Sequence, residues 1–181
     1  MRKIIYSLLC LASFTVFAAP NVKVETSLGN FTIELDSDNA PITTDNFLNY
    51  VQDGSYEGTV FHRVIPGFMA QGGGFDTNMN RVSTVAPIKN EAYNGLKNNK
   101  ATIAMARTQN PDSATRQFFI NYANNDFLNK TQENAGYAVF GKVTQGFDIV
   151  EKMATQQTAS LGSYHDVPVT AIVINKMTVQ E

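Results

Sequence analysis

The 181-residue chain has no tryptophan, one cysteine and two histidines, and each shortage excludes a chemistry. Cys10 lies in the apolar N-terminal stretch, so the rest of the chain has no thiol for a disulfide or a nucleophilic mechanism. His62 and His165 do not stand in a zinc-like spacing, so neither a metal nor another cofactor is expected. No Gly-x-Ser-x-Gly elbow occurs, which leaves hydrolase readings weak. Gly72-Gly73-Gly74 lacks the Lys-Ser/Thr that completes a phosphate loop and reads instead as a bulge. Lys and Arg number 14 against 16 Asp and Glu, whereas a nucleic-acid partner needs a basic footprint. The longest apolar run is shorter than the ~20 residues of a bilayer-spanning helix, so no stable membrane anchor is expected.

That run has a different use. Arg2-Lys3, an apolar stretch from Ile4 to Phe17 and the small residues Ala18-Ala19 have the layout of a secretory signal peptide. Cleavage after Ala18 leaves Val16 and Ala18 as the small pair; cleavage after Ala19 puts Phe17 at the third-last position and is disfavoured. Ser7-Leu8-Leu9 before Cys10 lacks the small residue of a lipoprotein site. Loss of residues 1–18 leaves 163 residues, enough for one domain over residues 19–181, placed in the periplasm or secreted. Arg2 and Lys3 leave with the signal, so the mature chain carries 12 basic against 16 acidic residues, a net charge of −4, and no cysteine.

Residues 61–74 are the most informative internal segment: Phe-His-Arg-Val-Ile-Pro-Gly-Phe-Met-Ala-Gln-Gly-Gly-Gly. One arginine and one glutamine stand among large apolar side chains, with no nucleophile, acid–base pair or ligand set beside them. Such a set suits non-covalent work on a mostly apolar group. Alternation along a strand at Thr59 to Val64 places Phe61 and Arg63 on one face and His62, a packed histidine, on the other. Pro66-Gly67 turns the chain, and Met69 and Gln71 share a face of the next short strand. Residues 116–122 alternate too, with Gln117 and Phe119 on one side and Phe118 and Ile120 in the core. Phe119 is then an exposed aromatic on a half-polar face, which calls for a reason. Phe127 and Leu128 add apolar groups from a loop. Together the three pieces wall a shallow apolar slot.

At these pieces the chain resembles the cyclophilins, the cyclosporin-binding family of peptidyl-prolyl cis-trans isomerases, over nearly everything from Val22 onward. The resemblance implies an all-β fold: a closed eight-stranded antiparallel barrel capped by two α-helices, with the proline site on its outer wall. It implies that Arg63 is catalytic, that Phe68, Met69, Phe119 and Leu128 form the proline pocket, and that Gln71 and Gln117 are polar groove residues. The family's Ala-Asn pair, whose backbone takes up substrate as an added strand, falls on Ala106 and Arg107. Phe127 stands where a rim tryptophan is common and Tyr137 where a groove histidine is, and with Arg107 these look like the bacterial exported branch. The implied partners are proline-containing polypeptides, with cyclosporin bound weakly because of the altered rim. Nothing demands more than a monomer.

The remaining chain agrees with a barrel. Val22 to Leu28 and Phe31 to Leu35 form a hairpin pattern around Gly29-Asn30, and further strands are expected at Thr102 to Ala106, Gln117 to Tyr122, Tyr137 to Val143 and Thr170 to Val179. Helices are expected from Pro41 to Gly54 and from Phe147 to Ala154. Many short strands with two brief helices suit a sheet closed on itself, which leaves no free edge. The long polar segment from Phe75 to Leu96 is expected to pack beside the groove and to influence residues N-terminal to proline. Two rivals remain: a non-catalytic peptide-binding chaperone using the same groove, for which Arg63 is dispensable, and a barrel carrying a small apolar ligand inside, which bulky Phe118 and Ile120 oppose.

Overall fold

The computed structural model describes residues 19–180, so the signal-peptide stretch 1–18 lies outside the described residues. Ten strands and two α-helices follow in chain order: β1 (Asn21–Thr26), β2 (Gly29–Leu35), α1 (Pro41–Gln52), β3 (Thr59–Ile65), β4 (Met69–Asp76), β5 (Thr102–Met105), β6 (Phe118–Asn121), β7 (Val139–Gln145), α2 (Phe147–Met153), β8 (Thr158–Leu161), β9 (Tyr164–Pro168) and β10 (Ile174–Gln180). Eight of the strands make one antiparallel sheet in the order β10-β1-β2-β7-β5-β6-β4-β3, and β8 and β9 pair as a separate hairpin. The all-β architecture is as expected, but barrel closure is incomplete. The outer strand β3 meets the chain just before β10 through a single bridge, Val60 to Val173, rather than a continuous ladder. Phe61 N–H donating to Ile172 O at 2.9 Å and Gly58 N–H donating to Ile174 O at 2.8 Å complete the seam.

Alternation builds the interior. In β1 and β2, Val22, Val24, Phe31, Ile33 and Leu35 face inward while Lys23 and Glu25 stay at the surface. The first turn lies two residues earlier than Gly29-Asn30 suggests: Thr26 pairs with Gly29, and Ser27-Leu28 make the turn. Thr26 Oγ1 accepts from Leu28 N–H at 3.2 Å and donates to Gly29 O at 2.7 Å, fixing the tight loop.

Helix α1 covers the interior with Phe47, whose ring meets Tyr56, Phe118 and Phe140 at 5.2–5.6 Å between centroids. Helix α2 adds Val150 and Met153 to the same core. Bulky side chains fill the interior, which argues against a carried ligand there.

Ala40 supplies no side-chain cap to α1, and Pro41 removes one of the amides that would need one. Glu91, buried in the long segment after β4, does the work from a distance. Its carboxylate accepts from Thr43 N–H at 2.8 Å, Thr43 Oγ1 at 2.7 Å and Ile42 N–H at 3.2 Å. Anion and helix dipole therefore match at that end.

Candidate active site

Position on the sheet, not nearness in sequence, assembles the site. Arg63 of β3 pairs with Gln71 of β4, Gln71 with Phe119 of β6, Phe119 with Ala104 of β5, and Ala104 with Val139 of β7. Paired residues share a face, so this row runs across the outside of the barrel. The neighbouring row, Phe61, Gly72, Phe118 and Met105, faces the core.

Phe61 and Arg63 are therefore on opposite faces, contrary to simple alternation. The register advances two residues on β3, from Phe61 to Arg63, while β4 advances one, from Gly72 to Gln71. The extra residue at His62 is a β-bulge that turns Arg63 outward. A larger shift follows on β4, where Thr59 pairs with Asp76 and Phe61 with Gly72, so the glycine run is a bulge as its composition suggests. Gly73 has φ +83, and a Cβ there would lie 2.8 Å from the Tyr56 ring. A Cβ on Gly74 would lie 2.4 Å from Gln117 Cγ, so this glycine makes room for the glutamine.

On the outer row sits a depression of about 170 Å³ lined by Arg63, Phe68, Met69, Gln71, Ala106, Arg107, Phe119, Leu128 and Tyr137. Phe119 is not exposed; the residue is 5 % accessible and its ring meets Tyr137 edge-on at 5.7 Å. Met69, Ala104, Phe119, Leu128 and Val139 form a second apolar cluster, separated by the sheet from the interior one. Two expected residues are not in the lining. Gln117 stands behind it, its Oε1 accepting from Gln71 Nε2 at 2.8 Å. Phe127 is 66 % exposed and lies beside Phe68 at 5.5 Å between centroids, at the outer rim. No residue of the segment from Phe75 to Leu96 lines the depression, but the segment does pack beside it: Leu96 lies against the apolar cluster, and Asn90 Nδ2 donates to Gly136 O at 3.1 Å.

Several supporting residues gave no signal in the sequence reading. Asp166 of β9 places Oδ2 3.7 Å from Arg63 Nε, with both side chains about two-fifths exposed (43 % and 41 %). It adopts φ +59, a conformation that few residues other than glycine take. The neighbouring His165 turns elsewhere, its Nδ1 lying 3.0 Å from Ser160 Oγ across the hairpin. Arg116 is buried to 1 % accessibility without a carboxylate among its hydrogen-bond partners. It donates to Gly73 O at 2.6 Å, Ser83 O at 2.8 Å and Ser55 O, and lies over the rings of Tyr50 and Tyr56. The glycine bulge is thus pinned from inside.

A cluster of buried asparagines positions Leu128. It lies in a 3-10 turn, Asp126–Leu128. Asn98 Nδ2 donates to Leu128 O at 3.3 Å, Asn121 Nδ2 to Asn98 Oδ1 at 3.3 Å, and Asn125 Nδ2 to Asn121 Oδ1 at 2.8 Å and to Phe68 O at 3.0 Å. The asparagine density of residues 121–134 was a visible sign of a polar scaffold.

The electrostatics are simple. Arg63 and Arg107 are the charged side chains of the lining. His62, beneath Arg63 and against the Phe75 ring at 4.6 Å, is buried with Nδ1 unpartnered. Burial pushes its pKa down to about 4, the Arg63 and Arg81 charges add to the fall, and a backbone hydrogen bond at Val60 opposes it. Among the described residues no three His, Cys, Asp or Glu side chains group closely enough to hold a metal ion. A wider hollow of about 670 Å³ lies elsewhere, lined by residues such as Leu35, Asp36, Lys97 and Lys142 and bordered by Ala19 and Pro20. Its lining holds no aromatic side chain, whereas Phe68, Phe119 and Tyr137 line the smaller groove.

The family model for the cyclophilin type peptidyl-prolyl cis-trans isomerase/CLD matches residues 21–179. A peptidyl-prolyl cis-trans isomerase of Acinetobacter baylyi is 56 % identical over 158 residues, 87 % of this chain and 84 % of that protein. Peptidyl-prolyl cis-trans isomerase B of Escherichia coli is 50 % identical over 163 residues, covering 88 % and 99 % of the two chains. A solved Cryptosporidium parvum cyclophilin type isomerase superposes with TM-score 0.75 at 25 % identity, covering 90 % of this chain and 98 % of its own. A structure of that protein in the presence of the dipeptide Ala-Pro gives TM-score 0.74 at 26 % identity, over 89 % and 99 % of the two chains. The family match over residues 21–179 and relatives at 50 % identity and above show that the chain belongs to the cyclophilin-type peptidyl-prolyl cis-trans isomerases.

Proposed function

We propose that Arg63 is the catalytic residue for rotation of Xaa-Pro bonds in proline-containing polypeptides, and that Phe68, Met69, Phe119 and Leu128 hold the proline ring. The observation that carries this reading is the convergence of the outward-facing Arg63 with four apolar side chains in a single depression. Rotation about the imide has a barrier of roughly 20 kcal/mol, because resonance must be broken. In the twisted state the proline nitrogen regains a lone pair. A fixed N–H donor aimed there binds the twisted form better than the planar one, which is the condition for catalysis. Arg63 meets Asp166 through Nε, which leaves the two Nη groups for the groove. A 10⁵-fold acceleration asks for about 7 kcal/mol from these terms together.

Gln71 retains one amide hydrogen beyond its bond to Gln117 and supplies a donor for the carbonyl of the rotating half. Ala106 N–H is committed to Gln117 O at 2.9 Å, so strand-wise pairing of a peptide along this edge falls to the backbone of Arg107. Gln117 acts through Gln71, Tyr137 walls the slot beside Phe119, and Phe127 contributes rim surface.

The N-terminal sequence supports export, with assistance to the folding of exported proteins in the periplasm as the cellular role of a monomer. The rim phenylalanine supports weak cyclosporin binding. No helix among the described residues is long and apolar enough to cross a membrane.

The mechanism uses no general base, and His62, held near 4, is neutral over the working range. Turnover at saturating peptide is therefore expected to vary less than about twofold from pH 6 to 9. A bell-shaped profile over that range would contradict the mechanism.

A further inference from the structure

Arg107 is the second cation of the groove, and rotation of the imide makes no use of its side chain. Its Nε donates to Gly136 O at 2.9 Å and its Nη1 to Thr108 O at 2.9 Å. Its Cζ lies 4.4 Å from the centre of the Tyr137 ring. These contacts fix the plane of the guanidinium, and of its five N–H donors two are used, so three stay free.

No carboxylate among the described residues pairs with it. The ion pairs there are Lys23–Glu25, Arg63–Asp166, Lys100–Glu151 and Lys142–Glu34. The lining of the groove contains no acidic side chain, although the chain as a whole has a net charge of −2. Asp166 offsets part of the Arg63 charge from outside the lining, so the uncompensated positive charge of the groove lies at Arg107.

A clamp joining residues 107–108 to the 136–137 turn needs only neutral donors. A full charge at that place has a further consequence. When a peptide without an acidic side chain covers the groove, Arg107 loses water and recovers at most neutral hydrogen bonds to backbone carbonyls. When the peptide brings a carboxylate, the loss is offset by a charge-assisted, potentially bidentate pair. Because the guanidinium is already immobile, little side-chain entropy is lost on pairing.

We propose that Arg107 is a specificity-determining residue, and that the groove favours polypeptide segments carrying Asp or Glu within two residues of the proline. This inference rests on the groove being the peptide site. A partly exposed pair at contact distance gives a preference of about fivefold in kcat/KM for Glu over Gln. Lys at the same position falls below Gln.

The test is a set of short Ala-Pro peptides with Glu, Gln or Lys placed singly at each of the two positions before and after the proline. Exchange NMR with the full chain gives kcat/KM for each. The Glu/Gln ratio is expected to exceed about three at one position at least, to decline as salt is raised, to fall to about one in Arg107→Gln and to be partly kept in Arg107→Lys. Since each ratio is taken within one variant, a general loss of activity cancels. A wild-type ratio near one at all four positions overturns the proposal, as does a ratio that persists in folded Arg107→Gln. If Arg107→Gln fails to fold, the wild-type ratio and its salt dependence decide on their own. Absence of turnover on every peptide, Ala-Pro controls included, would instead overturn the reading of the groove.

Discussion

At the scale of single residues, His62 shows how catalysis and stability meet. The bulge that turns Arg63 outward also buries the imidazole against Phe75 with Nδ1 unpartnered. Its pKa is about 4 in the fold against the ordinary 6.5. Between those values the unfolded chain binds the proton and the folded one does not, so stability falls as pH drops from 6.5 to 4 and this group adds nothing more below 4. The difference amounts to about 3 kcal/mol at the lower limit. Chemical denaturation at pH 7 and pH 4 is expected to show His62→Leu losing about 3 kcal/mol less than wild type over that interval. Equal losses in the two proteins would show that the histidine is not held neutral.

The strand pattern alone put Arg63 on the same face as Phe61, and alternation without a bulge has that result. An inserted residue reverses the face, and nothing in Phe-His-Arg-Val marks it; the pairing with Gly72 and Gln71 does. Asp166 was illegible for a similar reason. Its role arises only when β9 is laid beside β3, roughly a hundred residues away in sequence.

At the scale of elements, long-range polar contacts replace local signals. Helix α1 has Pro41 at its start and Phe47 and Val51 on its buried face, legible from composition and spacing; Leu48, read with them, is only partly buried, and Tyr50 takes the buried place beside Val51. The cap of α1 was not legible, because Glu91 lies 48 residues from Thr43. Glu91→Gln keeps the size but removes the charge from three hydrogen bonds and the helix dipole. It is expected to lower stability by about 2 kcal/mol, read by urea denaturation, with the catalytic constant of the folded protein unchanged. A loss below about 0.5 kcal/mol would show that the carboxylate is dispensable to α1.

The hairpin β8–β9 escaped notice because Thr158–Leu161 is mostly exposed and shows no apolar alternation. The segment after β4 was read as a loop choosing substrate residues. It carries Glu91 to α1 and Ser83 to Arg116, which are scaffold contacts, and contributes no side chain to the lining of the depression.

At the scale of the whole molecule, one curled sheet separates two apolar clusters. The inner one holds the protein together, with Phe61, Phe118 and Phe140 among its members. The outer one, with Met69, Phe119 and Leu128, is the floor on which a proline ring rests in the proposed mechanism. Both were legible because strands β4 and β6 alternate without interruption over Met69 to Gln71 and Phe118 to Ile120. Closure was less legible, since a count of strands does not reveal that β3 and β10 form no ladder and that the seam rests on the Val60–Val173 bridge and a few hydrogen bonds beside it.

The central claim is that Arg63 stabilises the twisted imide and is not merely one wall of a binding groove. Arg63 is half-exposed, so its removal leaves the core intact. The most direct measurement is exchange NMR on an Ala-Pro-Phe peptide with the intact protein and with Arg63→Ala, giving the rate of cis-trans exchange on the protein and the peptide Kd separately. The account predicts that the rate falls at least ~100-fold, about 2.7 kcal/mol, while the Kd changes less than about threefold. A folded Arg63→Ala protein that turns the bond at the wild-type rate would contradict it.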